Sequence, residues 1–191
     1  MPERPYTLLS CGMSIDGYLG SATPRRLALS NDADFDRVDA VRATCDAILV
    51  GAGTVRNDNP RLLVRSQARR DERTARGLAP SPIKVTVTER VDGGQPVEMR
   101  RITEDLGARG VQRLMVEGGS KVHTQFLTDN LADELQLVVA PFFVGDSRAT
   151  RFVSDGRFPW NPDRRATLAE VRQIGDVVLL RYALSHRFRD D

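Results

Sequence analysis

The sequence predicts an α/β domain built on a mostly parallel sheet, and three observations carry that prediction. Ala47–Val50 is an unbroken apolar run containing β-branched residues, bounded by Gly51 and Gly53, as expected of a strand covered on both faces. Strand-like runs twice hand over to glycine-punctuated polar segments, at Asp46–Leu62 and at Arg113–Ser120, and the second leads straight into a helix start. Leu168–Ile174 and Val177–Tyr182 flank a Gly175–Asp176 turn, which reads as a terminal antiparallel hairpin.

The 191 residues, 40% of them hydrophobic, suit one domain, residues 1–191, with one buried core. With 28 basic and 26 acidic residues the net charge is +2, so neither nucleic acid nor a membrane surface is an expected partner. Apart from Lys84 and Lys121 the basic residues are arginines, which suits phosphate and carboxylate recognition and equally suits codon composition. Cys11 and Cys45 stand apart without CxxC or histidine spacing, so no metal site is expected and both read as buried thiols. The N-terminus has no signal-like apolar region, and no window approaches the roughly 18 apolar residues of a membrane span, so a cytoplasmic location is expected.

Taken in order, Tyr6–Met13 is a first strand, and Ser14-Ile15-Asp16-Gly17-Tyr18 is a polar turn that is either a site segment or a plain hairpin turn. Ser30–Asp34 caps a helix whose Phe35, Val38, Val41 or Arg42, and Cys45 recur at helical spacing. Within it, Arg37 and Arg42 suit a helix C-terminus as solvated cations. The helix feeds the central strand, whose end carries Thr54, Arg56, Asn57, Asp58, Asn59 and Arg61 on a polar loop. Ligands of open α/β sheets gather at such strand ends, so this loop is the expected centre of the active site. Ser66–Pro82 reads as an exposed loop with at most a frayed helical turn. Ile83–Thr88 alternates as a strand, Val91–Gly94 breaks it, a short strand spans Val97–Ile102, and a helix runs from Thr103 to Gly110. Arg113–Glu117 is another strand, and Gly118-Gly119-Ser120 opens a helix with Val122, Phe126 and Leu127 on one side. A helix N-terminus approached through glycines can take an anion, although a structural turn explains the glycines as well. Glu134–Val144 is a long apolar strand, and Phe152–Ala166 is irregular.

Together and in this order, the SIDG turn, the DAILVGAGTVRNDNPRL block, the VEGG-helix block and the DELQLVVAPFFVG strand resemble the reductase domain of the riboflavin-biosynthesis deaminase/reductase family. The resemblance implies a dihydrofolate-reductase-like fold: a mostly parallel central sheet flanked by helices, with an antiparallel C-terminal strand or hairpin. It also implies NADPH-dependent reduction of a ribosylaminopyrimidine 5′-phosphate to its ribitylamino product, by a homodimer. Carried onto matching positions, it makes Met13, Gly53, Thr54, Asp58, Gly118, Gly119, Ser120, Lys121 and Val122 cofactor contacts, within a helix start reaching Gln125. Arg42, Leu62, Arg65 and Glu117 fall on the substrate side, the two arginines as phosphate ligands. Asp58 and Glu117 are the expected catalytic carboxylates. Asp58, in a water-poor cleft, would supply a proton or orient a water that does, unless it only shapes an Asx-turn.

Two departures stand out. Many family members carry Ser-x-Trp-Ile-Thr before the first helix, where this chain has Arg25–Ser30, leaving the pyrimidine open. Between Val87 and Val97, where the family usually has a strand and helix near the adenosine end of the cofactor, there is only a glycine-rich link. A zinc deaminase signature is absent, since His123, His186, Cys11 and Cys45 are scattered. The alternatives are a reductase of a pterin or another small heterocycle, and a non-catalytic nucleotide-binding protein.

Overall fold

A computed structural model describes residues 3–23, 27–88 and 97–190. Seven strands form one sheet in the order β3-β2-β4-β1-β5-β7-β6: β1 Tyr6–Ser14, β2 Ala47–Gly51, β3 Ile83–Val87, β4 Arg113–Val116, β5 Glu134–Ala140, β6 Thr167–Ile174 and β7 Val177–Ala183. The first five pair in parallel, and β7 joins β5 and β6 antiparallel. This is the expected architecture, terminal hairpin included.

Register explains the two cores. Leu9, Val116 and Leu49 are neighbours across β1, β4 and β2, as are Leu8, Met115 and Ile48 one residue earlier. Because successive side chains leave a strand on opposite faces, the two trios sit on opposite sides of the sheet. The first trio packs with Met99 and Leu106 of α4 (Met99–Ala108) and with Val122 and Phe126 of α5 (Ser120–Thr128). On the other face, Leu8, Ile48 and Met115 pack with Val38 and Val41 of α1 (Asp32–Ala43) and Val55 of α2 (Ala52–Asp58). Asn31 caps α1 by accepting from the Asp34 N–H at 3.0 Å.

Four sequence expectations need correction. The stretch after β2 is not a loop but α2. Its glycines and lack of a capping side chain hide it from propensity, whereas Val55 anchors it to the second core. Residues 67–75 form α3 (Gln67–Ala75) rather than an exposed loop. Its docked face is polar and so has no apolar period: buried Arg73 donates to the carbonyls of Ala43, Cys45 and Ala79, each at 2.8 Å. Val97–Ile102 is not a strand, because Met99, Ile102, Thr103 and Leu106 share one side of α4 and turn it to the core. Finally, β5 stops at Ala140 before Pro141.

Arg25, Arg26 and the expected break at Val91–Gly94 lie outside the described residues. Cys45 is buried and Cys11 half-buried, both as free thiols. Among the described residues no helix is long and apolar enough to cross a membrane, and no group of three or more His, Cys, Asp or Glu could hold a metal ion.

Candidate active site

The interior strands β2, β4 and β1 finish at the same end of the sheet, where backbone bonds tie the exits of β2 and β4 together. Glu117 N–H donates to Leu49 O at 3.0 Å, and Gly51 N–H donates to Gly118 O at 2.8 Å. Gly118 has φ +116°, a conformation that L side chains rarely adopt, and the Gly118–Gly119 peptide is cis. Gly119 then serves as the N-cap of α5 without a capping side chain, so the first N–H groups of this helix face outward.

The glycines make a close approach possible. A Cβ on Gly119 would lie 3.1 Å from Thr54 Oγ1, and one on Gly51 would lie 3.0 Å from Val122 Cγ2. The starts of α2 and α5 are therefore side by side, which brings Thr54, Gly118, Gly119 and Val122 together. Ser120 shares a 3.3 Å hydrogen bond with Ser154, Lys121 is exposed, Gly53 is open, and Met13 is half-buried against the first core. A cradle of glycines with a helix start behind it has the chemistry to receive a dinucleotide's phosphates.

The substrate-side residues divide. Arg42 grips Glu117 in a fork, Nε to Oε1 and Nη2 to Oε2, both at 2.6 Å, and its Nη1 donates to Leu63 O at 3.2 Å. Burial works against the charge on Arg42, but the Glu117 carboxylate outweighs it and raises the guanidinium pKa. Arg42 is thus not the solvated helix-end cation that its position suggested. Leu62 is buried at φ +50° with its side chain in the second core, so any ligand contact it makes is through its backbone. Arg65 is exposed, with its guanidinium 5.6 Å over the Phe35 ring.

Asp58 ends α2 just before Asn59, which turns the chain in the left-handed region at φ 41°. Its side chain is exposed, so the expected water-poor cleft does not surround it in this state. The reason is α2, a short helix over the strand ends that carries its last residue out toward solvent.

Sequence reading missed Asp39, which is buried one turn before Arg42 on α1. It accepts from the backbone N–H groups of Arg65 and of Ser66, the latter at 3.1 Å, and from Arg69 Nη1 at 2.9 Å. Burial alone would raise its pKa, but these donors hold it below the usual carboxylate range. Asp39 thereby fixes the segment that carries Arg65; a carboxylate three residues before Arg42 was the only signal available. Asp16, in the SIDG turn, accepts from Ser14 Oγ at 2.6 Å and from the N–H groups of Val144 and Gly145, at 3.0 and 2.8 Å to its nearer oxygens. Against the effect of burial, these bonds bring its pKa down to about 2, and they tie the exit of β1 to that of β5. His123 lies buried behind the glycine turn, 5.5 Å from the Phe152 ring, and its Nδ1 has no hydrogen-bond partner among the described residues.

The RibD C-terminal domain model matches residues 5–180. The chain belongs to the RibD C-terminal domain family. Its relatives include the 2,5-diamino-6-ribosylamino-4(3H)-pyrimidinone 5′-phosphate reductases of Archaeoglobus fulgidus, 30% identical over 97% of this chain and 99% of that protein, and of Methanothermobacter thermautotrophicus, 34% identical over 80% and 85%. The Archaeoglobus alignment runs over 224 residues, more than the 191 of this chain, so that relative has segments without a counterpart here. Acinetobacter baumannii RibD has the same fold, with a TM-score of 0.76 at 22% identity over 94% of this chain. The chain spans 58% of that protein's length.

Proposed function

We propose that this member of the RibD C-terminal domain family is an NADPH-dependent reductase that converts a ribosylaminopyrimidine 5′-phosphate to its ribitylamino product. The observation that carries the reading is the convergence, on one sheet edge, of the Thr54–Gly119 cradle with Glu117, Arg42 and the Arg65 segment. The bound nicotinamide supplies the hydride, which an imine-like carbon of the opened sugar accepts. Gly118, Gly119 and the first turn of α5, with Thr54 opposite, hold the cofactor's phosphates. Glu117 orients the substrate from the end of β4, and Arg65, whose guanidinium is exposed, takes the substrate phosphate in a charge-assisted bond. Asp58 holds or relays the proton that accompanies hydride transfer, once substrate covers the strand ends.

The test is NADPH oxidation, followed by absorbance, with the phosphorylated ribosylaminopyrimidine in its diamino and deaminated forms. Turnover of one form with formation of the ribitylamino product is expected. Cofactor binding without oxidation of NADPH by either form overturns the reading. The same reading places a homodimer in the cytoplasm. Leu168, Val171 and Val178, exposed on the terminal hairpin, support self-association, and a monomer in sedimentation at assay concentration would remove that part.

A further inference from the structure

We infer that Asp39 is a positioning residue for the substrate's phosphate: it holds the backbone at Arg65 and Ser66 so that the Arg65 guanidinium stands ready for an anion. The inference rests on the reductase reading and adds to it the residue that presets a phosphate ligand. Residues 59–66 belong to no helix or strand, so the backbone polar groups around Arg65 have no ladder to join. Side chains from elsewhere take them instead. Asp39, 3% exposed, accepts from Arg65 N–H with one carboxylate oxygen and from Ser66 N–H with the other, the latter at 3.1 Å. From α3, Arg70 Nη1 donates to the carbonyls of Val64 and Arg65 at 2.9 and 2.8 Å, and Ser81 Oγ accepts from Val64 N–H at 3.0 Å. Val64 itself is fully buried. The backbone on both sides of Arg65 is therefore fixed before a ligand arrives, which spares binding the entropy of ordering it.

The frame for this is α1. Phe35, Asp39 and Arg42 are four and three residues apart, which puts them on one stripe of the helix. Phe35, 41% exposed, meets the Arg65 guanidinium 5.6 Å from its ring centroid, and Asp39 takes the backbone of the same residue. Arg42 reaches the Glu117 carboxylate and Leu63 O. One helix face thus sets where Arg65 stands relative to Arg42 and Glu117, the other charged groups of the substrate side. A neutral amide would not replace the carboxylate. Both oxygens of Asp39 face N–H donors, Arg69 Nη1 among them at 2.9 Å, so an NH2 group at either place would meet a donor.

Steady-state kinetics and a double-mutant cycle in the full chain test the inference. Asp39→Asn should raise KM for the phosphorylated ribosylaminopyrimidine about tenfold, with kcat within about twofold and KM for the dephosphorylated substrate unchanged. Combined with Arg65→Ala, it should be no more than about twofold worse than Arg65→Ala alone, because Asp39 acts through Arg65. Arg70→Ala, which loosens the same segment from α3, should shift the same KM in the same direction and serves should the asparagine variant not fold. A loss of stability with KM for the phosphorylated substrate unchanged makes Asp39 a residue of the fold and overturns the inference, as do additive losses or an equal rise for both substrates. Apart from turnover, titration with ribose 5-phosphate should show binding to the parent chain that each of the three substitutions weakens. Unaltered affinity in Asp39→Asn, or no affinity in the parent, also overturns the inference. Absence of turnover in a parent chain that keeps this binding pattern counts against the reductase reading alone.

Discussion

Asp133, at the edge where the parallel strands begin, is fully buried and all its bonds come from within the chain. Arg4 forks it at 2.6 and 2.8 Å, Thr7 N–H donates at 2.9 Å and Ser185 Oγ at 2.6 Å, so one carboxylate ties the N-terminus, β5 and the C-terminal tail. At the opposite edge the charges are less fully spent: Glu117 and Arg42 pair with each other, Arg65 and Asp58 are exposed, and glycines keep backbone open beside Thr54. Both edges use carboxylates and guanidinium groups. What differs is whether the partners are in the chain or must come from a ligand, and that separates residues that hold the fold from residues that serve chemistry.

The sharpest way to break this contrast is Asp133→Ala. Removing one side of a shielded pair leaves Arg4 uncompensated, and the expected loss is about 3–5 kcal/mol in urea unfolding, with kcat per folded molecule unchanged. A loss below about 1 kcal/mol would mean that this edge is no more committed to stability than the other. Next in size is Asp58→Asn, which keeps the size of the side chain and removes the acid. A proton or electrostatic role predicts about a 10²-fold fall in kcat with unfolding unaltered, whereas a kcat within a few-fold of the parent makes Asp58 architecture. Smaller again is Arg65→Ala, for which KM should rise roughly tenfold with cofactor affinity and stability intact. An equal rise with dephosphorylated substrate would show that Arg65 does not read the phosphate.

The same contrast explains what could be read from the sequence. β2 and β4 are apolar runs, the terminal hairpin has its Gly175–Asp176 turn, and the glycine-led start of α5 is written locally, so all were legible. α3 was not, because the residue it buries is Arg73, whose partners are carbonyls at Ala43, Cys45 and Ala79 that no periodicity reveals. Asp39 and Asp133 escaped notice for a related reason: the work of a buried carboxylate is set by which distant N–H groups the fold delivers to it. Of the residues that the resemblance named, the strand exits bring Thr54 beside Gly119 and Glu117 beside Arg42. The resemblance could not show that Arg42 faces Glu117 or that α2 carries Asp58 out to solvent.

The smallest effect sharpens the comparison by pH. His123, beside the glycine turn, is buried, and desolvation lowers its pKa to about 4, against an unfolded value near 6.5. A histidine depressed in this way binds its proton more readily when unfolded, so its contribution to stability is present above pH 6.5 and is lost as the pH falls toward 4. Between pH 7 and pH 6 the expected loss is small, and it steepens below that toward the limit of about 1 kcal/mol per pH unit for one proton. The Asp133 pKa is lowered from 3.8: burial alone would raise it, but the bonds from Arg4, Ser185 and Thr7 prevail, so its contribution is lost only at more acid pH. The site edge should therefore loosen first on acidification. Urea midpoints for the parent chain and for His123→Phe, taken at pH 7, 6 and 5, isolate the histidine. Phenylalanine keeps a ring against Phe152 and has no proton to bind, so the variant should lose the slope across this range whatever its stability at pH 7. An identical slope in both proteins would assign the acid sensitivity to carboxylates and remove the distinction between the two edges on this measure.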